Sequence, residues 1–215
     1  MITVRKYRKY GIASVVVAAA LLPTATAHAD ATWTVSPGGS ITANSSGPIW
    51  LSDDTKGREV DCDGLTGSGT AKSGSGQSGD KIAAFTGFTL INCVAYNNTS
   101  YNITLSASPT APAFWNALTY DGTDLTTLTL TNITGHLEAG DGCTADFVGR
   151  GGGAATLRGQ FSNSSGAFTF GPSGSGDLTA ANVGPNCPSN LLSNGDALSL
   201  NGVFMIAPAS KITSP

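Results

Sequence analysis

Carboxylates are the side chains of this sequence with the most chemistry to offer. Asp53, Asp54, Glu59, Asp61 and Asp63 crowd around Cys62, and Glu138 and Asp141 form a second group. Two carboxylates flanking a cleft can serve as acid and base, or acid and nucleophile, as glycoside hydrolysis requires. The run Asp61-Cys62-Asp63-Gly64 could also offer oxygens to Ca²⁺, but it lacks the ligand spacing of an EF-hand loop. The plainer reading of both groups is solvated acidic turns, so no metal ligand is assigned. Nucleophilic catalysis of the Ser-His-Asp kind needs a histidine beside the nucleophile. Beyond residue 29 the one histidine is His136, out of phase with Leu137 and expected to face solvent, and no G-x-S-x-G elbow occurs. Gly74-Ser-Gly76-Gln-Ser-Gly79 satisfies G-x-G-x-x-G, yet no strand–turn–helix pattern surrounds it. No catalytic residue is assigned and no cofactor is expected.

Aromatic side chains offer a second chemistry, stacking against a ligand. Trp33 is in phase with Val35 and reads as core or edge, and core packing is the default for Trp50 and Trp115 as well. Trp115, in Phe114-Trp115, is the aromatic retained as a candidate for binding, together with Asp61 and Asp63. Asp80 and Asp177 each follow Ser-Gly and are expected to hold turns through their side-chain oxygens.

What must position these residues begins with four cysteines, Cys62, Cys93, Cys143 and Cys187. An even count in an exported chain favours disulfides, and without C-x-x-C there is no zinc spacing. Three pairings are open, and an internal repeat selects one. Ser78-Gly79-Asp80 precedes Cys93 and Ser175-Gly176-Asp177 precedes Cys187, each ahead of an alternating run and a proline, Pro109 or Pro208. Two pseudo-repeat halves, about 38–109 and 110–208, then pair Cys62 with Cys93 and Cys143 with Cys187.

Export is read from the N-terminus. Arg5, Lys6, Arg8 and Lys9 precede an apolar run from Gly11 to Leu22, and Ala27-His28-Ala29 then gives an A-x-A site before Asp30. The apolar run is short of the roughly 20 residues that span a bilayer. Residues 1–29 are therefore expected to be a signal peptide and 30–215 a single secreted domain with no membrane anchor. Four of the 11 basic residues and none of the 14 acidic ones lie in the leader, so the mature chain carries seven basic residues and a net charge of −7. That charge, without a basic cluster, argues against nucleic acid or anionic lipid as a partner. A cell-surface or small-molecule partner remains in keeping with it.

Period-two alternation runs through the rest. Tyr101, Ile103, Leu105 and Ala107 alternate with polar residues, as do Leu157, Gly159 and Phe161, and Leu198, Leu200, Gly202, Phe204 and Ile206. Between Leu130 and Ile133 the phase slips, which predicts a bulge near Thr131-Asn132. Only Ala113 to Leu118 and Pro188 to Ser193 read as helical turns, and the glycine-rich stretch Gly64–Gly79 reads as a loop. With 12% charged and 40% hydrophobic residues, the chain is neither a charged helical bundle nor disordered. The expected fold is all-β, a single-domain antiparallel β-sandwich or β-barrel with two disulfides.

Several segments together resemble a set of small secreted actinobacterial proteins of uncharacterised function. They include Trp33-Thr-Val-Ser-Pro37-Gly38-Gly39, Phe88-Thr-Leu-Ile-Asn-Cys93, Phe114-Trp115-Asn-Ala-Leu, Phe161-Ser-Asn163-Ser-Ser-Gly166, Asn194-Gly195-Asp196 and the closing Ile212-Thr-Ser-Pro215. The resemblance implies export, disulfides and a β fold, and brings no activity, substrate or catalytic residue with it. The reading is a non-enzymatic extracellular β protein, either a surface or structural component or a binding module. Its rivals are a secreted carboxylate-based hydrolase and a carrier holding a small apolar ligand inside a barrel. The carrier reading fails if Phe85, Phe88, Phe147, Phe161 and Phe204 fill that interior.

Overall fold

The structure is a computed structural model that describes residues 32–96, 98–107, 112–170 and 178–215. Its strands, in chain order, are β1 (Trp33–Ser36), β2 (Gly39–Ser45), β3 (Ile49–Asp53), β4 (Arg58–Ala71), β5 (Gly74–Gln77), β6 (Ala83–Ala95), β7 (Ser100–Ala107) and β8 (Ala113–Tyr120). They continue with β9 (Leu125–Ala139), β10 (Thr144–Gly149), β11 (Ala155–Ser162), β12 (Ala167–Phe170), β13 (Leu178–Ala181), β14 (Leu198–Asn201), β15 (Val203–Ala207) and β16 (Lys211–Thr213). The alternating runs are these strands: Tyr101, Ile103 and Leu105 are buried while Asn102, Thr104 and Ser106 are exposed. The all-β expectation and both disulfides hold, and between sandwich and barrel the chain forms a barrel.

Eight strands close the barrel, in the order β2–β4–β6–β8–β9–β11–β12–β15 and back to β2, every neighbour antiparallel. Three of them, β4, β6 and β9, are 14, 13 and 15 residues long and run on past its end. Their extensions pair with the remaining strands in a second ring, β3–β4–β6–β7–β9–β10–β13–β14. That ring closes through a single bridge, Thr179 to Ala197, with Ala180 N–H donating to the Asp196 carbonyl at 2.9 Å beside it. Each ring draws strands from both pseudo-repeat halves. The short sheet β16–β1–β5 joins the two ends of the described chain.

A strand shared by two rings must change partners partway, and in β9 a local device marks the change. In β9 the device is Asn132, at φ 65°, where the register against β11 slips between Ile133 and Thr131. This is the expected bulge. In β6 the partner changes between Phe85, paired with β8, and Gly87, paired with β7, and Asn92 at φ 49° marks a separate slip against β7 between Leu90 and Cys93. Asparagine tolerates this left-handed conformation better than any residue but glycine.

The first ring is packed with aromatic rings. Phe85, Phe161, Phe168 and Phe204 are fully buried and Phe88 nearly so, with Trp115 among them at 5.1 Å from Phe85 and 5.3 Å from Phe168 between centroids. Phe147 is buried in the second ring. Room for these side chains comes from glycines set directly across the ladder. Gly67 pairs with Phe88, Gly69 with Phe85 and Gly135 with Phe147. A Cβ on Gly67 would lie 2.5 Å from the Phe88 ring and one on Gly135 2.6 Å from that of Phe147. Packing this close forbids even a methyl. The expected loop at Gly64–Gly79 is thus corrected: its first half lies in β4, where Gly67 and Gly69 serve facing aromatics rather than turns, and Gly74–Gln77 is β5.

Two smaller expectations also meet the structure. Ala113 to Leu118 is not a helical turn but strand β8, with Ala113, Trp115 and Ala117 inward at period two. Pro188 to Ser193 does make one turn, in which the Leu191 and Leu192 N–H groups both donate to the Pro188 carbonyl. The predicted pairing Cys62–Cys93 joins β4 to β6, and Cys143–Cys187 ties the start of β10 to the loop after β13. Both lie in the second ring. Asp177 and Pro109 fall outside the described residues.

Candidate functional site

The acidic group around Cys62 separates into two environments, because a strand sends successive side chains to opposite faces. Glu59, Asp61 and Asp63 project outward from β4 while Val60 and Cys62 point inward. Asp53, at the end of β3, is buried at 4% exposure, and Asp54 in the following turn accepts from Ser199 Oγ at 2.8 Å.

On the outer face Asp61 stands directly across the ladder from Trp50. Directly opposed residues have Cβ atoms about 4.5–5.5 Å apart, so the two side chains meet. Trp50 is 36% exposed, whereas Trp33 and Trp115 are 3% and 1% exposed. Trp115 is therefore corrected as a binding candidate: its faces are taken by Phe85, Phe161 and Phe168, and no ligand reaches them. The exposed tryptophan is Trp50, which default burial of aromatics passed over. Its signal was available: in Ile49-Trp50-Leu51 it falls between two inward aliphatic residues. One step along β4, Asp63 accepts from Asn92 Nδ2 at 2.9 Å, and the β6 bulge turns that amide outward.

The same outer face continues into a shallow groove of about 490 Å³ across β4, β6 and β7. Thr66, Thr89 and Thr104 line it in one cross-strand row, with Ser68, Thr86 and Ser106 alongside. The row runs on through His136 to Asp146. As expected, His136 faces solvent, and its Nδ1 lies 2.8 Å from Asp146 Oδ1 while Asn182 Nδ2 donates to Oδ2 at 2.7 Å. Those hydrogen bonds, from Asn182 first and then His136, hold the Asp146 carboxyl below its ordinary range.

The buried carboxyl group has company that sequence proximity does not reveal. Asp53 Oδ1 accepts the N–H groups of Thr55 and Lys56, while Oδ2 is buried without a hydrogen bond. Asp196, 7% exposed, lies beside it, with Lys56 Nζ 2.6 Å from its Oδ2. Burial pushes Asp53 up, the nearby Asp196 adds to this, and the two N–H donors only partly oppose it. Burial acts upward on Asp196 too, but Lys56, the Asp53 carboxyl and the Ser193 N–H outweigh it and hold Asp196 low. The adjoining cavity, lined by Leu51, Leu191, Leu192 and Leu198 among others, has about 20 Å³. That is room for a water but not for a glycosidic bond.

Glu138 is exposed, and Asp141 holds its turn by accepting the Cys143 N–H at 3.0 Å. Among the described residues no three His, Cys, Asp or Glu side chains converge as a metal ion would need. No helix of the described residues is long and apolar enough to cross a membrane. Comparison with family models, with curated proteins and with solved structures found no match.

Proposed function

We propose that the chain is exported, loses residues 1–29 and works outside the cell as a non-enzymatic binding protein for a neutral, hydroxyl-rich polymer such as a polysaccharide. The resemblance to secreted actinobacterial proteins is part of the same proposal. Two disulfides fit an oxidising, extracellular setting. The observation that carries the reading is the outer face, where Trp50, Asp61, Asp63 and Asn92 continue into the hydroxyl-lined groove. A tryptophan face packs against the apolar side of a sugar ring, and carboxylates and amides take up its hydroxyls. A mature net charge of −7 disfavours anionic polymers. The aromatic side chains buried in the first ring, and the enclosure of the Asp53–Asp196 pair capped by Lys56, favour this reading over a carrier or a hydrolase.

The test is co-sedimentation of the mature protein with insoluble polysaccharide from the producing cell's envelope. Retention is expected, with Trp50→Ala losing about 2 kcal/mol, roughly thirtyfold in affinity, as a central aromatic contact does. Equal retention of the variant, or release of soluble sugar by the native protein, overturns the reading.

A further inference from the structure

We propose that Lys56 and Asp196 become joined by an intramolecular amide bond, formed by direct condensation of amine and carboxyl with Asp53 as the proton-transfer group. The side chains are already placed for it. Lys56 Nζ lies 2.6 Å from Asp196 Oδ2 and 2.6 Å from Ser193 Oγ. The carboxyl carbon is one bond beyond that oxygen, and reacting atoms meet from about 3–3.5 Å. The Ser193 N–H also donates to Oδ2 at 2.6 Å, where a tetrahedral intermediate would carry its negative charge.

In bulk water an ammonium and a carboxylate do not condense, because both charged forms are well hydrated. Burial of Asp53 among Leu191, Leu192 and Leu198, and of Asp196 next to it, withdraws part of that hydration, while the 2.6 Å contact holds amine and carboxyl together. Asp53, with an unpartnered buried Oδ2 and a carboxyl pushed up by burial, is placed to hand over a proton and take one back. The balance closes without a further reactant. One proton leaves the Lys56 ammonium, Nζ attacks Cγ of Asp196, a second proton leaves the nitrogen of the tetrahedral intermediate, and one carboxyl oxygen departs with both as water. A neutral amide replaces two charges in an apolar setting.

Its place in the fold gives the bond a purpose. The two residues are 140 apart in sequence. Lys56 is in the turn between β3 and β4, and Asp196 immediately precedes the Thr179–Ala197 bridge, the narrowest seam of the second ring. Hydrogen bonds from Asp54 N–H to the Ala197 carbonyl, and from Ala197 N–H to Thr55 Oγ1, already draw that turn onto the seam.

Intact-mass analysis and tryptic mapping of the purified, disulfide-reduced protein test this. The expected result is a chain one water lighter than its sequence, no cleavage after Lys56, and a branched peptide containing Lys56 and Asp196. Lys56→Arg keeps the cation and its ion pair but lacks the attacking amine, and should have full mass while remaining folded. Asp53→Asn keeps an acceptor for the Thr55 and Lys56 N–H groups and should form the bond slowly or not at all. A native protein of full mass that is cleaved after Lys56 overturns the proposal, as does a Lys56→Arg chain still lacking one water. An Asp53→Asn chain that cross-links as fast as the native one removes Asp53 from it.

Discussion

Trp50 and Trp115 sit in the same all-β chain and take opposite roles, and the difference lies in what covers each ring. Trp115→Ala empties the middle of the aromatic cluster and should cost about 3–5 kcal/mol, read from the shift in urea midpoint. Trp50→Ala should stay within about 0.5 kcal/mol in the same measurement, as surface changes do. The alternating runs marked neither as a strand residue, Ala113 to Leu118 having read as a helical turn, and which of two tryptophans is inward depends on register. For the Lys56–Asp196 pair the sequence holds no sign, because only topology brings residues so distant together. Asp146 permits a test at low pH. Its folded value lies below the ordinary 3.8, so its contribution is complete above 3.8 and lost as pH falls through the folded value. The stability gap between native protein and Asp146→Asn should therefore shrink on acidification, as followed by chemical denaturation. A gap independent of pH would mean that the hydrogen bonds from Asn182 and His136 contribute nothing.

At the scale of the strand, glycine and asparagine do unlike work. Gly67→Val drives a branched side chain into the Phe88 ring and should cost about 1–3 kcal/mol from overpacking, measured by equilibrium unfolding. At the β9 bulge, Asn132→Val forces a β-branched residue to positive φ for about 1–2 kcal/mol, whereas Asn132→Gly costs less. The bulge was legible because a phase slip in a hydrophobic pattern has few other causes. The glycines were not: composition alone cannot separate a turn glycine from one lying under a phenylalanine, since the distinction resides in the residue across the ladder. Likewise Ala113 to Leu118 is a strand because Trp115 and its neighbours pack inward, a tertiary preference that local pattern does not carry.

For the whole molecule, the decisive feature is that β4, β6 and β9 belong to both rings. Neither ring can open without disturbing strands of the other, so unfolding should be a single transition, with tryptophan emission and far-ultraviolet circular dichroism coinciding. Two separated transitions would refute this coupling. The disulfides close loops of 31 and 44 residues, each worth about 4 kcal/mol in the chain-entropy model, and both brace the ring with the weaker seam. Reduction should therefore lower the midpoint while leaving the transition single. The order in which the strands appear along the chain has a further consequence. The first ring is shut by β15 against β2, and the second by residues 197–201. A polypeptide emerging from its N-terminus thus holds most of its strands with neither circle complete, and residues 197–207 finish both. A chain ended before residue 197 can close neither: it has no smaller barrel to fall back on, and its unpaired edges mark it for proteolysis.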